Sequence, residues 1–198
     1  MTAAASPTIT QRLPTVRAGV ALVGLALAVL MRVQVAGVAG ARSPAAGVLF
    51  GLALLAVVAG CGLRRPSVSA RQIGWGLGGA VVLCTPAVIA RLARPGVLMP
   101  GSQLATWAAI VALVAVAEEL VLRGVLYDAV CQRHGARAAI AVTTIAFALL
   151  HVPIYGWHVL LLDLAAGYLF GILRASTGSV TAPAIAHTIA DLAGWWLR

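Results

Sequence analysis

Two adjacent carboxylates, Glu118 and Glu119, are followed at position 123 by an arginine, inside an otherwise apolar stretch. The residues just before them, 107–117 (WAAIVALVAVA), carry no charge. The chain holds only five acidic residues, and two of them are here. A charged side chain at the centre of a bilayer costs about 2.5–3.5 kcal/mol on insertion scales, so its presence there points first to function. On a helix, Glu119 and Arg123 are i,i+4 neighbours with the acid N-terminal to the base, the favourable order for an ion pair. That pairing neutralises Glu119 and leaves Glu118 about 100° away around the helix, available for chemistry.

The partners such a carboxylate needs stand further along. His151 follows Phe147 by one helical turn, and His187 precedes Asp191 by one turn. His158 and Asp163 lie between these pairs, and His134 sits in an arginine-bearing connection where solvation is expected. At about 1.5 Å of rise per residue, Glu118, His151 and His187 all fall within a hydrocarbon core about 30 Å thick. A carboxylate and two histidines from three helices leave two chemistries open. Glu118, His151 and His187 form a metal set with an open fourth position, as Zn2+ takes in hydrolases, or Glu118 is a general base assisted by histidine. Hydrolysis within lipid also requires a wet cavity, which these side chains would line. A proton or ion relay in a transporter uses similar groups.

The elements that must hold these residues are helices in a membrane. The 198 residues are 62% hydrophobic and 10% charged, with a mean hydropathy of +1.01. A soluble domain carries about 25% charged residues. Seven apolar runs, at about 18–40, 45–63, 73–92, 103–130 (the longest), 137–152, 157–173 and 179–197, are candidate spans, for which about 20 mostly apolar residues are needed. Continuous runs exclude the alternation of barrel strands, which leaves an all-α polytopic transmembrane bundle of about seven spans. Arg32 interrupts the first run and is expected to snorkel toward an interface. Residues 1–17 are expected to form a disordered tail, 18–99 the N-terminal transmembrane helices and 100–198 a catalytic core. Arg12 and Arg17 ahead of 18–31 resemble a signal peptide, but apolar character resumes beyond Arg32, so an uncleaved first span is expected.

All fourteen basic residues are arginine, giving a net charge of +9. They are scattered between apolar runs rather than clustered, which suits loop anchors and excludes a nucleic-acid surface. Eight of them, positions 12, 17, 64, 65, 71, 133, 137 and 174, fall on the N-terminal side of the expected topology, against positions 42, 91, 94 and 198 opposite. The N-terminus is therefore expected in the cytoplasm, with the protein in a bacterial cytoplasmic membrane. Cys61, Cys84 and Cys131 form no metal or disulfide spacing and are expected to be small buried residues. Trp157, Trp195 and Trp196 suit interfacial anchoring. Gly24, Gly74, Gly76, Gly78, Gly79, Gly167 and Gly171 suit close helix contacts.

Glu118-Glu119-x-x-x-Arg123, Phe147-x-x-x-His151 and His187-x-x-x-Asp191, in this order on separate helices, resemble the CPBP family of intramembrane proteases. That family contains the type II CAAX prenyl endopeptidases and the bacterial Abi or bacteriocin-immunity-type proteins. The resemblance covers residues 100–198 and implies a membrane endopeptidase acting on a membrane-associated protein or peptide. It implies that Glu118 and His151 activate water and that His187 with residue 191 stabilises the oxyanion. Glu119 and Arg123 would shape the site, with Phe147 beside His151. The family is usually labelled as metalloproteases, and the sequence is compatible with and without a metal. The third motif often ends in asparagine, where this chain has Asp191; an ionised carboxylate only accepts hydrogen bonds and would repel an oxyanion. Asp191 is then protonated, or orients His187, or binds metal. A non-catalytic immunity or scaffold protein of the same fold is the alternative, with a proton-coupled transporter behind it. The absence of an internal repeat counts against the transporter.

Overall fold

The computed structural model describes residues 9–37, 40, 43–62, 66–93 and 101–197. These form seven helices: α1 (Ile9–Ala36), α2 (Pro44–Cys61), α3 (Ala70–Ala93), α4 (Leu104–Glu119), α5 (Tyr127–Tyr155), α6 (Leu160–Thr177) and α7 (Thr181–Leu197). Among the described residues there is no strand. Leu13–Ala36, Pro44–Cys61, Ala70–Ala93 and Trp157–Thr177 are each long and apolar enough to cross a membrane. With the remaining helices, the chain is an integral membrane bundle of about seven spans.

Two breaks differ from uninterrupted helices. Between α4 and α5 the chain adopts a π-helical segment, Leu120–Leu126, which contains Arg123. Within α5, Gly135 takes φ 80°, ψ 171°, a left-handed value open to glycine at little cost. This break falls between the fourth and fifth apolar runs and separates them. At the N-terminus, residues 9–17 are helical where a tail was expected, and residues 1–8 lie outside the described set. Long-range bonds tie this first stretch down: Arg133 donates to Thr15 Oγ1 at 2.6 Å, and Arg17 to the Gly62 carbonyl at 2.7 Å.

Helices α1 and α2, α2 and α4, α3 and α7, and α5 and α6 pack as neighbours. Glycine sits at these crossings because a Cβ would collide with the partner helix. At Gly76 it would lie 2.9 Å from the Ala182 carbonyl oxygen. At Gly167 it would lie 3.3 Å from the Thr144 backbone. Gly74 and Gly78, by contrast, face open space. The outer surface is apolar, with Val23, Leu27, Val81 and Leu161 exposed, while Glu118, Glu119, Arg123 and His187 are buried. Apolar outside and charged inside is the arrangement a lipid solvent selects.

Three expectations are corrected here. Arg32 does not snorkel: it is buried, its guanidinium 4.8 Å from the centre of the Phe50 ring. It continues the inward-facing stripe Ala21, Leu25, Ala28 and Val29, so its helical face points to protein rather than lipid. Trp195 is buried against Trp107, with ring centres 4.9 Å apart, while Trp157 and Trp196 are exposed as anchors should be. The three cysteines are free and only half-buried. Arg12 has no described side chain, and positions 42, 64, 65, 94 and 198 lie outside the described residues. Arg17, Arg71, Arg133 and Arg174 gather at one end of the bundle. Arg91 bonds the Trp196 carbonyl at the other.

Candidate active site

The local rule for Glu119 and Arg123 holds. Arg123 Nη1 meets Glu119 Oε1 at 2.8 Å, with both side chains fully buried. Arg123 also reaches α6, where Nη2 donates to the Gly167 carbonyl at 2.9 Å. Its guanidinium lies 4.9 Å from the Phe147 ring centre and 5.1 Å from that of Phe170. One cation thus touches α4, α5 and α6. From outside, Arg174 supports the π-helical segment: its Nε donates to the Arg123 carbonyl at 2.8 Å while Nη2 pairs with Asp128 at 2.5 Å.

His187 joins this pair from α7. Its Nδ1 lies 3.0 Å from Glu119 Oε1. A carboxylate oxygen only accepts, so Nδ1 carries the proton and Nε2 is left facing the other way. There it stands 3.8 Å from Glu118 Oε2 and 3.5 Å from Asp191 Oδ2. Glu119 therefore does two tasks, neutralising Arg123 and setting the His187 tautomer. The imidazole is clamped between Phe170, stacked at 4.8 Å, and the edge of Phe147 at 5.3 Å. Glu118 is 1% exposed and His187 4%.

His151 lies on the far side of Phe147, ring centres 4.6 Å apart. Its Nδ1 donates to the Phe147 carbonyl at 2.9 Å, which again leaves Nε2 uncommitted. The structure thus brings Glu118, Glu119, Arg123, Phe147, His187 and Asp191 into direct contact and sets His151 one aromatic ring away. His134 and His158 are exposed and outside the group. Asp163, noted in the sequence only as an intramembrane acid, comes within 3.9 Å of His151 Nδ1, its Oδ2 buried without a hydrogen-bond partner among the described residues. Phe170 and the Gly167 carbonyl also belong to the site. Gly167 was legible only as half of a glycine pair, and nothing in the sequence marked Phe170.

Zinc ligands sit about 2.0–2.2 Å from the metal. Among the described residues no three His, Cys, Asp or Glu side chains are grouped to hold a metal ion. Glu118 and His187 approach each other, but His151 is held aside by Phe147 and its own carbonyl bond. In this arrangement the donors do not fit a three-ligand zinc site. A cavity of about 630 Å3 lies at the arginine-rich end, lined by Arg17, Ser67, Tyr127, Asp128 and Arg174 among others, and does not include Glu118 or either histidine. Asp191 is the exposed member of the group, its side chain 45% exposed beside His187.

Comparison with protein families matches residues 100–193 to the type II CAAX prenyl endopeptidase Rce1-like family. The matched stretch contains every residue of the site described above, while α1, α2 and α3 fall outside it. No curated protein matches the chain, and no solved structure does.

Proposed function

With residues 100–193 matching the type II CAAX prenyl endopeptidase Rce1-like family, we propose that this chain hydrolyses a peptide bond of a membrane-associated protein or peptide, using Glu118 as the base. The observation that carries this is the placement of Glu118 Oε2 opposite His187 Nε2, in a buried pocket where Glu119 fixes the imidazole. Water entering past Asp191 meets Glu118, which takes its proton as the oxygen attacks the scissile carbonyl. The proton then passes to the leaving amine as the tetrahedral intermediate collapses. His187 Nε2 stands beside Glu118 to stabilise that proton in transit, and Asp191 supports the imidazole when it becomes charged. His151, with Nδ1 committed to the Phe147 carbonyl, offers Nε2 to water or substrate. No step is routed through a metal. The N-terminus is assigned to the cytoplasm of a bacterial membrane, on the arginine distribution.

Membrane-protein N-termini are compared in cells carrying wild type or Glu118→Gln at equal abundance. The substitution keeps shape and removes the base. New N-termini confined to the wild type identify the substrate. Identical profiles refute the endopeptidase assignment and favour the binding or immunity role.

A further inference from the structure

The cavity of about 630 Å3 at the arginine-rich end of the bundle is as large as the pockets that hold small ligands, about 300–1,000 Å3. Five parts of the chain wall it: Arg17 on α1, Ser67 ahead of α3, Gly124 in the π-helical segment, Tyr127 and Asp128 at the start of α5, and Arg174 on α6. None of the residues proposed for catalysis lines it.

Its charges do not balance. Two guanidinium groups and one carboxylate face it, and one of the guanidinium groups is fully engaged. Arg174 pairs with Asp128 at 2.5 Å, donates from Nε to the Arg123 carbonyl at 2.8 Å and lies 4.8 Å from the Tyr127 ring centre. Arg17 has a single bond, from Nη2 to the Gly62 carbonyl at 2.7 Å. Its Nε is buried without a hydrogen-bond partner, and no carboxylate lies within ion-pair distance among the described residues. The lining therefore carries one uncompensated positive charge.

Neutral donors stand with it. Tyr127 is only 3% exposed, and its O–H has no hydrogen-bond partner among the described residues. Ser67 Oγ accepts from Gln72 Nε2 at 2.7 Å, which leaves its own O–H to donate. One net charge and O–H donors from separate elements suit an anion of single charge with several acceptor oxygens. A phosphodiester has that charge and those oxygens, whereas a planar carboxylate would leave most of the volume unfilled. Basic pockets between membrane spans are also where lipid head groups bind.

We propose that this cavity is a binding site for a phosphodiester monoanion, held by Arg17 with Tyr127 and Ser67. The ester is the head group of an anionic phospholipid or a soluble compound of the same chemistry. The site stands apart from the endopeptidase assignment, and neither its occupancy nor its test depends on that reading.

The test titrates full-length protein in neutral maltoside micelles with dioctanoyl phosphatidylglycerol and counts bound lipid by native mass spectrometry. Saturable one-to-one binding is expected, with no retention of dioctanoylglycerol, which lacks the phosphate. Arg17→Met is expected to weaken binding about 10- to 100-fold, the loss of a hydrogen bond to a charged group. Tyr127→Phe, which keeps the ring beneath Arg174, is expected to weaken it about 3- to 10-fold and reads the site even if Arg17→Met does not fold. Arg71 and Arg133 are exposed at the same end but do not line the cavity. Arg71→Met and Arg133→Met are expected to change binding by no more than about twofold at about 0.15 M salt, where exposed charges are screened. Glycerophosphoglycerol, the head group without acyl chains, separates the two sources. Competition at equal concentration assigns the site to a soluble phosphodiester, and failure to compete assigns it to the lipid. Equal losses in all three arginine variants reduce the binding to diffuse attraction and overturn the proposal. So does the absence of saturable binding, and so does retention of dioctanoylglycerol as tight as that of the phospholipid.

Discussion

Arg123→Met is expected to be among the most destabilising single changes in the chain, and the structure says why. The substitution strands Glu119, a fully buried carboxylate whose cation stood 2.8 Å away. Removing one partner of a buried pair costs about 3–5 kcal/mol, chiefly through the uncompensated charge left behind. The lost bond to the Gly167 carbonyl at 2.9 Å adds about 1 kcal/mol. If the stranded charge dominates, neutralising it restores stability. The double variant Glu119→Gln/Arg123→Met keeps an amide oxygen to accept from His187 Nδ1 and removes the orphan carboxylate. It is expected to recover about 2–3 kcal/mol of the Arg123→Met loss, because the uncompensated carboxylate is the larger part of that loss. Equilibrium unfolding of the purified protein in mixed micelles of increasing SDS content measures all four corners of the cycle. An Arg123→Met cost below about 1 kcal/mol, against the 3–5 expected, would refute the reasoning. So would a double variant as unstable as the two single losses summed.

The same titration checks the helix crossings. Gly76→Ala places a methyl 2.9 Å from the Ala182 carbonyl oxygen and 2.8 Å from Ile185 Cβ, and is expected to cost about 1–3 kcal/mol through overpacking. Gly74→Ala, two residues away with nothing within 4 Å, is expected to stay within about 0.5 kcal/mol of wild type; equal costs would mean the α3–α7 contact is wrong. For the chemistry, cleavage of a fluorogenic peptide built on a cleavage site from the wild-type and Glu118→Gln comparison is expected to survive exhaustive chelation, because the donors are not grouped for a metal. Loss on chelation with recovery on adding zinc would reinstate the set Glu118, His151 and His187.

Much of the fold was legible because lipid imposes one rule on every span, and seven apolar runs satisfy it. The Glu119–Arg123 pair was legible for a different reason: its geometry is local, fixed by helical periodicity within one segment. What failed was whatever depends on which side of an apolar helix faces protein. In α1 both faces are hydrophobic, so no amphipathic signal marks the stripe from Ala21 to Val29, and Arg32 at its end was assigned to the interface. Trp195 was misplaced for the same reason, since nearness to the chain's last residues says nothing of the Trp107 ring it meets. The second duty of Glu119, orienting His187 across 68 positions of sequence, was equally out of reach. The motifs singled out residues that the structure gathers around Glu119 and Phe147, but the separation of His151 from His187 by Phe147 depends on side-chain packing that spacing does not encode.

Arg123 touches groups on α4, α5 and α6, and through Glu119 the imidazole of α7. Those helices leave the ribosome in that order, so α4 enters the membrane well before its partners exist. The i,i+4 pair travels with its own helix and lets the segment insert with its net charge partly cancelled, but Glu118 has no local counter-charge. Until α7 delivers His187, the growing chain holds a carboxylate whose imidazole partner is still missing. A chain halted before residue 181 is in this respect a different molecule from the finished one. The residues proposed for the chemistry thus come together only once α7 is in place.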